Sequence, residues 1–253
     1  MQVIKSLFEL KKYRQNLTGP VGFVATMGCL HDGHGALIQR SVAENDYTIV
    51  SIFVNPTQFN NSSDLNSYPI TLDADIELAS KHHADIIFIP DADDMYPHNY
   101  NFNVMTADPL SQLYEGEYRP GHFDGVLSVV LKLLNLTKPQ NAYFGEKDIQ
   151  QYVLIKRMVE SFFIDTNIVM CSTVRETSGL ALSSRNARLS DAQRQRADLF
   201  AKTFHSGVRM SEMKQQLTEN NITVDYIERH DDRLLAAVNI DDIRLIDNIL
   251  IAD

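Results

Sequence analysis

The chain reads as an α/β protein: a doubly wound, Rossmann-like parallel sheet followed by a smaller α+β C-terminal domain. Three observations lead there. Short apolar runs alternate with helix-length segments as far as Met170, the pattern of parallel strands covered by helices on both faces. A glycine-bearing turn, Ala25-Thr-Met-Gly-Cys-Leu-His-Asp-Gly-His34, joins a strong apolar run to a helix-forming stretch. Beyond Thr173 the pattern changes to one helix and several short strands of antiparallel type.

Taken in order, the apolar run Val21-Gly-Phe-Val24 places a buried strand over Gly22–Thr26, and His34–Glu44 follows as a helix. Thr48–Val54 is the next strand, then a helix over Leu72–His82 and a strand over Asp85–Pro90. Phe123–Asn135 is a helix, Ala142–Phe144 a strand, Ile149–Ser161 a helix and Asn167–Met170 a strand. The boundary is set at Thr173/Val174, giving a Rossmann-like domain over 1–173 and a small C-terminal lid domain over 174–253. In the latter, Ser190–Phe204 reads as a helix, and Ile222–Arg229, Leu234–Ile240 and Ile243–Ile251 as strands. Arg175–Asn186 is expected as a loop facing the cleft, and the polar stretch Asn60–Tyr68 is long enough for a lid. Repeats, low-complexity tracts and a disordered tail are not expected.

Composition narrows the function. At 253 residues the chain holds one large or two modest domains. A net charge of −10 argues against nonspecific nucleic-acid binding, which relies on many Lys and Arg contacts to phosphate. No apolar run reaches the length of a membrane span, and the N-terminal residues lack a basic-then-apolar signal. Cys29 and Cys171 alone make no disulfide framework, so the cytoplasm is the expected compartment.

The candidate chemistry starts at His31 and His34. Three residues apart at a strand-to-helix turn, they share one face of the first helical turn. Unpaired backbone N–H groups and the positive end of the helix dipole gather there, so the place suits phosphate. A second element is Leu182-Ser-Ser-Arg-Asn186, preceded by Thr173-Val-Arg-Glu-Thr-Ser-Gly-Leu-Ala181. Hydroxyls that donate hydrogen bonds beside a guanidinium fork can hold the outer phosphates of a nucleotide. By itself Ser-Ser-Arg-Asn is also an ordinary turn. Between them, Phe144-Gly-Glu-Lys-Asp-Ile-Gln-Gln151 enters a helix with Lys147 placed as a phosphate cation. Asp148 is a magnesium partner, a ribose partner or simply a helix cap.

His31-Asp-Gly-His34 together with Ser183-Ser-Arg185 resembles the paired signatures of the nucleotidylyltransferase and class I aminoacyl-tRNA synthetase superfamily. Within it the chain is similar to the pantothenate synthetase (pantoate–β-alanine ligase) family. The matching segments are Thr26-Met-Gly28, His31–His34, Val50–Phe59, Tyr114–Gly125, Ala142–Asp148, Leu182–Asn186 and Arg244–Asn248, in order over nearly the whole chain. The resemblance implies an ATP-dependent condensation of pantoate with β-alanine through pantoyl adenylate, with Mg²⁺ accompanying ATP, and a homodimer. It places Met27, Gly28, His31, His34, Gly145, Lys147, Asp148, Val174, Leu182, Ser183, Ser184 and Arg185 at ATP, with His31, His34 and Lys147 acting in catalysis and His34 as proton donor. It places Asn55, Gln58 and Gln151 at pantoate and β-alanine. Neutral amides suit that task, because they hold a carboxylate without quenching its nucleophilicity as an arginine salt bridge does. Pro56, Phe59 and Met27 can line an apolar wall.

Other residues invite weaker readings. Asp91, Asp93 and Asp94 form a solvated acidic turn more readily than a metal site, His82 and His83 are expected to be exposed, and His122 is structural or cleft-lining. Ala25, Gly35 and Ile70 stand where the family usually has proline, leucine and arginine, and the C-terminal region is short for the family. The rival functions are a related nucleotidylyltransferase acting on a phosphate ester and a noncatalytic nucleotide-binding descendant. The first needs cations for its second phosphate where this chain offers Gln58 and Gln151. The second is expected to lack a motif residue, and none is missing.

Overall fold

The computed structural model describes residues 1–60, 62–97 and 102–251. Its elements in chain order are β1 (Gln2–Ile4), α1 (Leu7–Gln15), β2 (Val21–Thr26), α2 (Asp32–Glu44), β3 (Tyr47–Ile52), α3 (Ser62–Asn66), α4 (Leu72–Lys81), β4 (Ile86–Phe88), α5 (Ala92–Met95), α6 (Glu115–Tyr118), α7 (His122–Thr137), β5 (Asn141–Gly145), α8 (Ile149–Ser161) and β6 (Asn167–Cys171). They continue with α9 (Asp191–Phe204), α10 (Met210–Glu219), β7 (Thr223–His230), β8 (Arg233–Ile240) and β9 (Ile243–Leu250). Two compact units result, one of residues 1–146 and 150–171, the other of 147–149 and 172–253.

In the first unit six parallel strands run in the order β1-β4-β3-β2-β5-β6. Alternate side chains serve opposite faces, as the period of a strand demands. Phe23, Ile49, Ile86, Phe88, Ala142 and Phe144 pack with Leu10 of α1, Val126, Val130 and Leu133 of α7, and Leu154, Ile155 and Met158 of α8. Val24, Val50, Ile87 and Tyr143 pack on the other side with Leu37 and Ile38 of α2 and Ala79 of α4. Strand order reverses between β2 and β5. Ligands of such sheets bind beyond the carboxyl ends of the strands, at that reversal.

In the second unit β7, β8 and β9 form an antiparallel sheet, with α9 and α10 covering one face through Phe200, Phe204, Met213 and Leu217. Its two hairpins turn at Asp231 and Asp241, whose φ of 52° and 54° suit a residue able to bond its own backbone.

The structure adds elements that the sequence pattern did not resolve. β1 is a three-residue edge strand, and α1 buries only Leu10 fully. α10 is mostly polar and buries Met213 and Leu217, four apart. Within the polar stretch 60–68, expected as a loop, the short helix α3 forms; Asn61 lies outside the described residues. The acidic turn at 91–94 is the exposed start of α5. His82 departs from expectation. Only His83 is exposed, while His82 is half-buried because Gly35 leaves room for it. A Cβ on Gly35 would lie 2.5 Å from His82 Nε2. Burial, and then the nearby Lys81 charge, hold the His82 pKa below its usual value.

Candidate active site

Three adjacent strands, β3, β2 and β5, release residues 55–58, 27–34 and 146–148 at their carboxyl ends. After β2 the chain turns sharply. Thr26 Oγ1 donates to Ser51 O (2.7 Å) and accepts from Gly28 N (3.2 Å). Gly28 carries a φ of 83°, which a glycine adopts without strain, and Cys29 follows in the left-handed region at 49°. Asp75, reaching over from α4 and 1% exposed, accepts hydrogen bonds from Cys29 N (3.0 Å), Leu30 N (2.7 Å) and Thr71 Oγ1 (3.0 Å). A carboxylate there satisfies two backbone donors that the tight turn cannot pair internally. Sequence reading missed Asp75, because its contacts lie about 45 residues away and leave no local pattern. Asp75→Ala is expected to lower stability by about 3 kcal/mol, since it leaves buried donors unpaired. Urea unfolding measures this, and an unchanged midpoint would mean that the turn does not need the carboxylate.

His31 and His34 then form a reciprocal cap on α2. His31 Nδ1 accepts from Gly33 N (3.1 Å), and His34 Nδ1 accepts from His31 N (3.3 Å), with ring centroids 4.1 Å apart. Because each Nδ1 accepts, each neutral imidazole carries its proton on Nε2. Both rings are thus tuned as Nε2–H donors beside the helix's own N–H groups and positive dipole end. The helix is anchored further along. Ser41 Oγ and Thr48 Oγ1 are 2.8 Å apart, and Tyr143 Oη accepts from Asn45 Nδ2 (2.7 Å) and donates to Glu44 Oε2 (2.9 Å). Burial and the Glu44 carboxylate push the Tyr143 phenol up to about 12. Ala25 sits in β2 opposite Ser51, and Met27 is half-buried.

After β3, Asn55-Pro-Thr-Gln58 makes a 3₁₀ turn backed by α7. Gly125 has no room for a side chain, since a Cβ would fall 2.3 Å from Thr57 O. Asn55, 1% exposed, uses both ends of its amide. Oδ1 accepts from Tyr96 Oη (2.7 Å) and Thr57 Oγ1 (3.0 Å), while Nδ2 donates to Gly125 O (3.1 Å) and Gln58 Oε1 (3.0 Å). Gln58 Oε1 is therefore the acceptor end, which makes Nε2 the donor end of that amide. His122 Nδ1 lies 2.8 Å from Gln58 O, where it can only donate, so His122 is a structural brace of this turn. Gln151, at the start of α8, is half-buried. Its neighbour Gln150 is consumed by the backbone of residues 110–115. Phe59 packs edge-on against Tyr68, and Ile70 is 81% exposed.

After β5, Gly145 faces open space, and the turn at 146–148 presents Lys147 and Asp148. Lys147 Nζ is 3.5 Å from Asp148 Oδ1, with side-chain exposures of 17% and 44%. In the second unit, Val174 and Leu182 close a hairpin through Leu182 N→Val174 O (3.0 Å), with Arg175 bridged to Ala181. The expected loop is thus largely a hairpin, followed by a 3₁₀ turn over Ser184–Arg188 that Ser183 Oγ caps at Arg185 N (3.3 Å). Asn186 Nδ2 donates to Glu176 Oε1 and Ala181 O, and Arg194 forks onto Glu176 (2.9 Å to each oxygen). Among the described residues, no three His, Cys, Asp or Glu side chains are grouped to hold a metal ion, and no helix is long and apolar enough to cross a membrane.

The comparisons with known proteins agree on one family. The family model of pantoate–β-alanine ligase matches residues 2–250. Pantothenate synthetase of Legionella pneumophila is 49% identical over 253 residues, covering 99% of this chain and 100% of that protein. Pantothenate synthetase of Coxiella burnetii is 48% identical over 249 residues, covering 98% and 96%. Among solved structures, pantoate–β-alanine ligase from Francisella tularensis, complexed with β,γ-ATP and β-alanine, superposes with a TM-score of 0.95 at 40% identity, covering 99% of this chain and 97% of that one. Pantothenate synthetase from Thermus thermophilus gives 0.90 at 36% identity, with 99% of each chain covered. With the fold, the motif order and these likenesses in agreement, the chain belongs to the pantoate–β-alanine ligase family, and it is an enzyme of that kind.

Proposed function

We propose that the protein condenses (R)-pantoate with β-alanine in two steps driven by ATP. A pantoate carboxylate oxygen attacks the α-phosphorus, a P–O bond forms, and the bond to pyrophosphate breaks. The β-alanine amine then attacks the acyl carbon of pantoyl adenylate, forming the amide, expelling AMP and losing a proton. The observation that carries this reading is the paired cap of His31 and His34, which sets two Nε2–H donors at a helix N-terminus. Such fixed donors stabilise charge that grows on departing phosphate oxygens without reorganising during reaction. His34 supplies a proton-bearing Nε2 toward the leaving group.

In the same reading, Met27, Gly28 and Gly145 give backbone approach to the nucleotide, and Lys147 neutralises phosphate. Val174, Leu182, Ser183, Ser184 and Arg185 supply the second unit's contacts to ATP, so that unit serves as the lid. Gln58 and Gln151 hold pantoate, and Asn55 contributes by fixing which end of Gln58 faces outward. Asp148, a half-exposed carboxylate, would be the residue to help hold Mg²⁺ brought in with ATP, and the ion would supply positive charge against the phosphates. The place of action is the cytoplasm, in keeping with a chain whose two cysteines are too few for a disulfide framework.

Two measurements test this. Pantoate alone, without β-alanine, is expected to support exchange of labelled pyrophosphate into ATP. Exchange that appears only when β-alanine is added would remove the separate adenylate step. We also propose a homodimer, supported by the exposed Ile70 beside Tyr68 and Pro69. Light scattering at micromolar concentration is expected to return twice the chain mass, and a monomer there would refute it.

A further inference from the structure

We infer that Asp247 and Asn248, adjacent on β9, are positioning residues for adenylation: they clamp the two phosphate-binding segments of the second unit to one strand. The inference rests on the function proposed above. Both residues are 3% exposed although their side chains point to opposite faces of β9. Asp247 lies on the face of Ile243 and Leu245, and its carboxylate is forked by Arg175 (Nη1 to Oδ2 2.6 Å, Nη2 to Oδ1 2.9 Å). Its Oδ1 also accepts from Asn248 N (2.8 Å), and His205 Nε2 lies 3.4 Å from Oδ2. Arg175 opens the hairpin that leads into Ser183-Ser-Arg185, and it also bonds Gly179 O at the hairpin's tip (3.1 Å). Asp247 therefore grips the base and the tip of that segment through one guanidinium.

Asn248 does the same for the other segment. On the opposite face, its Nδ2 donates to Lys147 O (2.9 Å), while its Oδ1 accepts from Arg233 Nη1 of β8. Residues 147–149 cluster with the second unit although both flanking stretches belong to the first. A hydrogen bond to the main chain at Lys147 sets where the ammonium starts from, rather than where its flexible stem ends. Lys147 and the Ser183–Arg185 turn thereby share one frame, and a charge that must meet departing pyrophosphate gains from such preorganisation.

The test uses the full-length enzyme with Asn248→Asp, which keeps the acceptor for Arg233 and removes the donor to Lys147 O. Adenylation, read as pantoate-dependent pyrophosphate exchange, is expected to fall about tenfold, while β-alanine attack on preformed pantoyl adenylate changes less than about twofold. A residue that merely supports the fold would depress both half-reactions alike, and equal losses overturn the inference. If N248D folds poorly, Asn248→Leu, of similar shape and uncharged, is expected to show the same split. In a Lys147→Ala background, N248D should change exchange by less than about twofold, because its route to the chemistry is gone. A further tenfold loss there would refute action through Lys147. Wild-type exchange with an unimpaired N248D overturns this inference alone, whereas no exchange in the wild type overturns the proposed function and this inference with it.

Discussion

His34→Ala and Lys147→Ala are each expected to slow adenylation by at least about a hundredfold, the usual cost of removing one preorganised partner of a developing charge. Attack of β-alanine on preformed pantoyl adenylate should slow far less, since pyrophosphate has already left. His34 needs a control, because its Nδ1 also caps α2 by accepting from His31 N. His34→Gln retains an acceptor at that helical position, as glutamine does in a capping box, but brings no imidazole. It is therefore expected to keep the melting temperature of the wild type and still lose adenylation. Rapid quench of each half-reaction distinguishes the cases, and equal losses in both would contradict the roles assigned to His34 and Lys147.

That the histidine turn was legible in the sequence has a local cause. An apolar strand, a glycine at positive φ and two histidines three apart all lie within fourteen residues, so period and spacing report them together. The second unit's strands were legible from equally local signals: β8 is a continuous apolar run, β9 alternates over its first half, and short turns join them. Asp75 was not legible, because it acts on backbone donors that lie far off in the chain. The same holds for Asn248, whose partner Lys147 O is 101 residues away. Arg244–Asn248 could be recognised as a family segment, but nothing in its composition announces a grip on the lysine turn. Short or polar elements escaped too. β1 has three residues, and α10 offers only a pair of buried apolar side chains.

Asn55 shows a further limit. Sequence places it among the substrate ligands, in the turn that also holds Gln58. Only the folded chain reveals that all four of its side-chain hydrogen bonds are internal. What Asn55 settles lies three residues on, at Gln58, whose amide oxygen it holds. A propensity argument cannot see that, because it depends on Tyr96 and Gly125 arriving from other elements.

The sharpest consequence concerns that glutamine. Gln58→Glu is expected to weaken pantoate binding far more than Gln58→Ala. The Asn55 amide already donates to Oε1, so the position has one acceptor end and one donor end, and in the function proposed above the donor end meets pantoate. Alanine removes that donor and costs about a hydrogen bond to a charged group, or roughly tenfold in affinity. Glutamate keeps the Asn55 contact but turns the outward donor into an anionic oxygen, facing a substrate that is itself a carboxylate. Repulsion is then added to the lost bond, and two carboxylates held close either resist ionising together or resist sharing the site. The Glu variant should therefore recover part of its binding as the pH falls and the pair takes up a proton, while the Ala variant should not. A pantoate titration of both proteins at two pH values reads the difference. Equal impairment of the two at neutral pH would show that Gln58 does not face the carboxylate, and would return the substrate's acid group to Gln151.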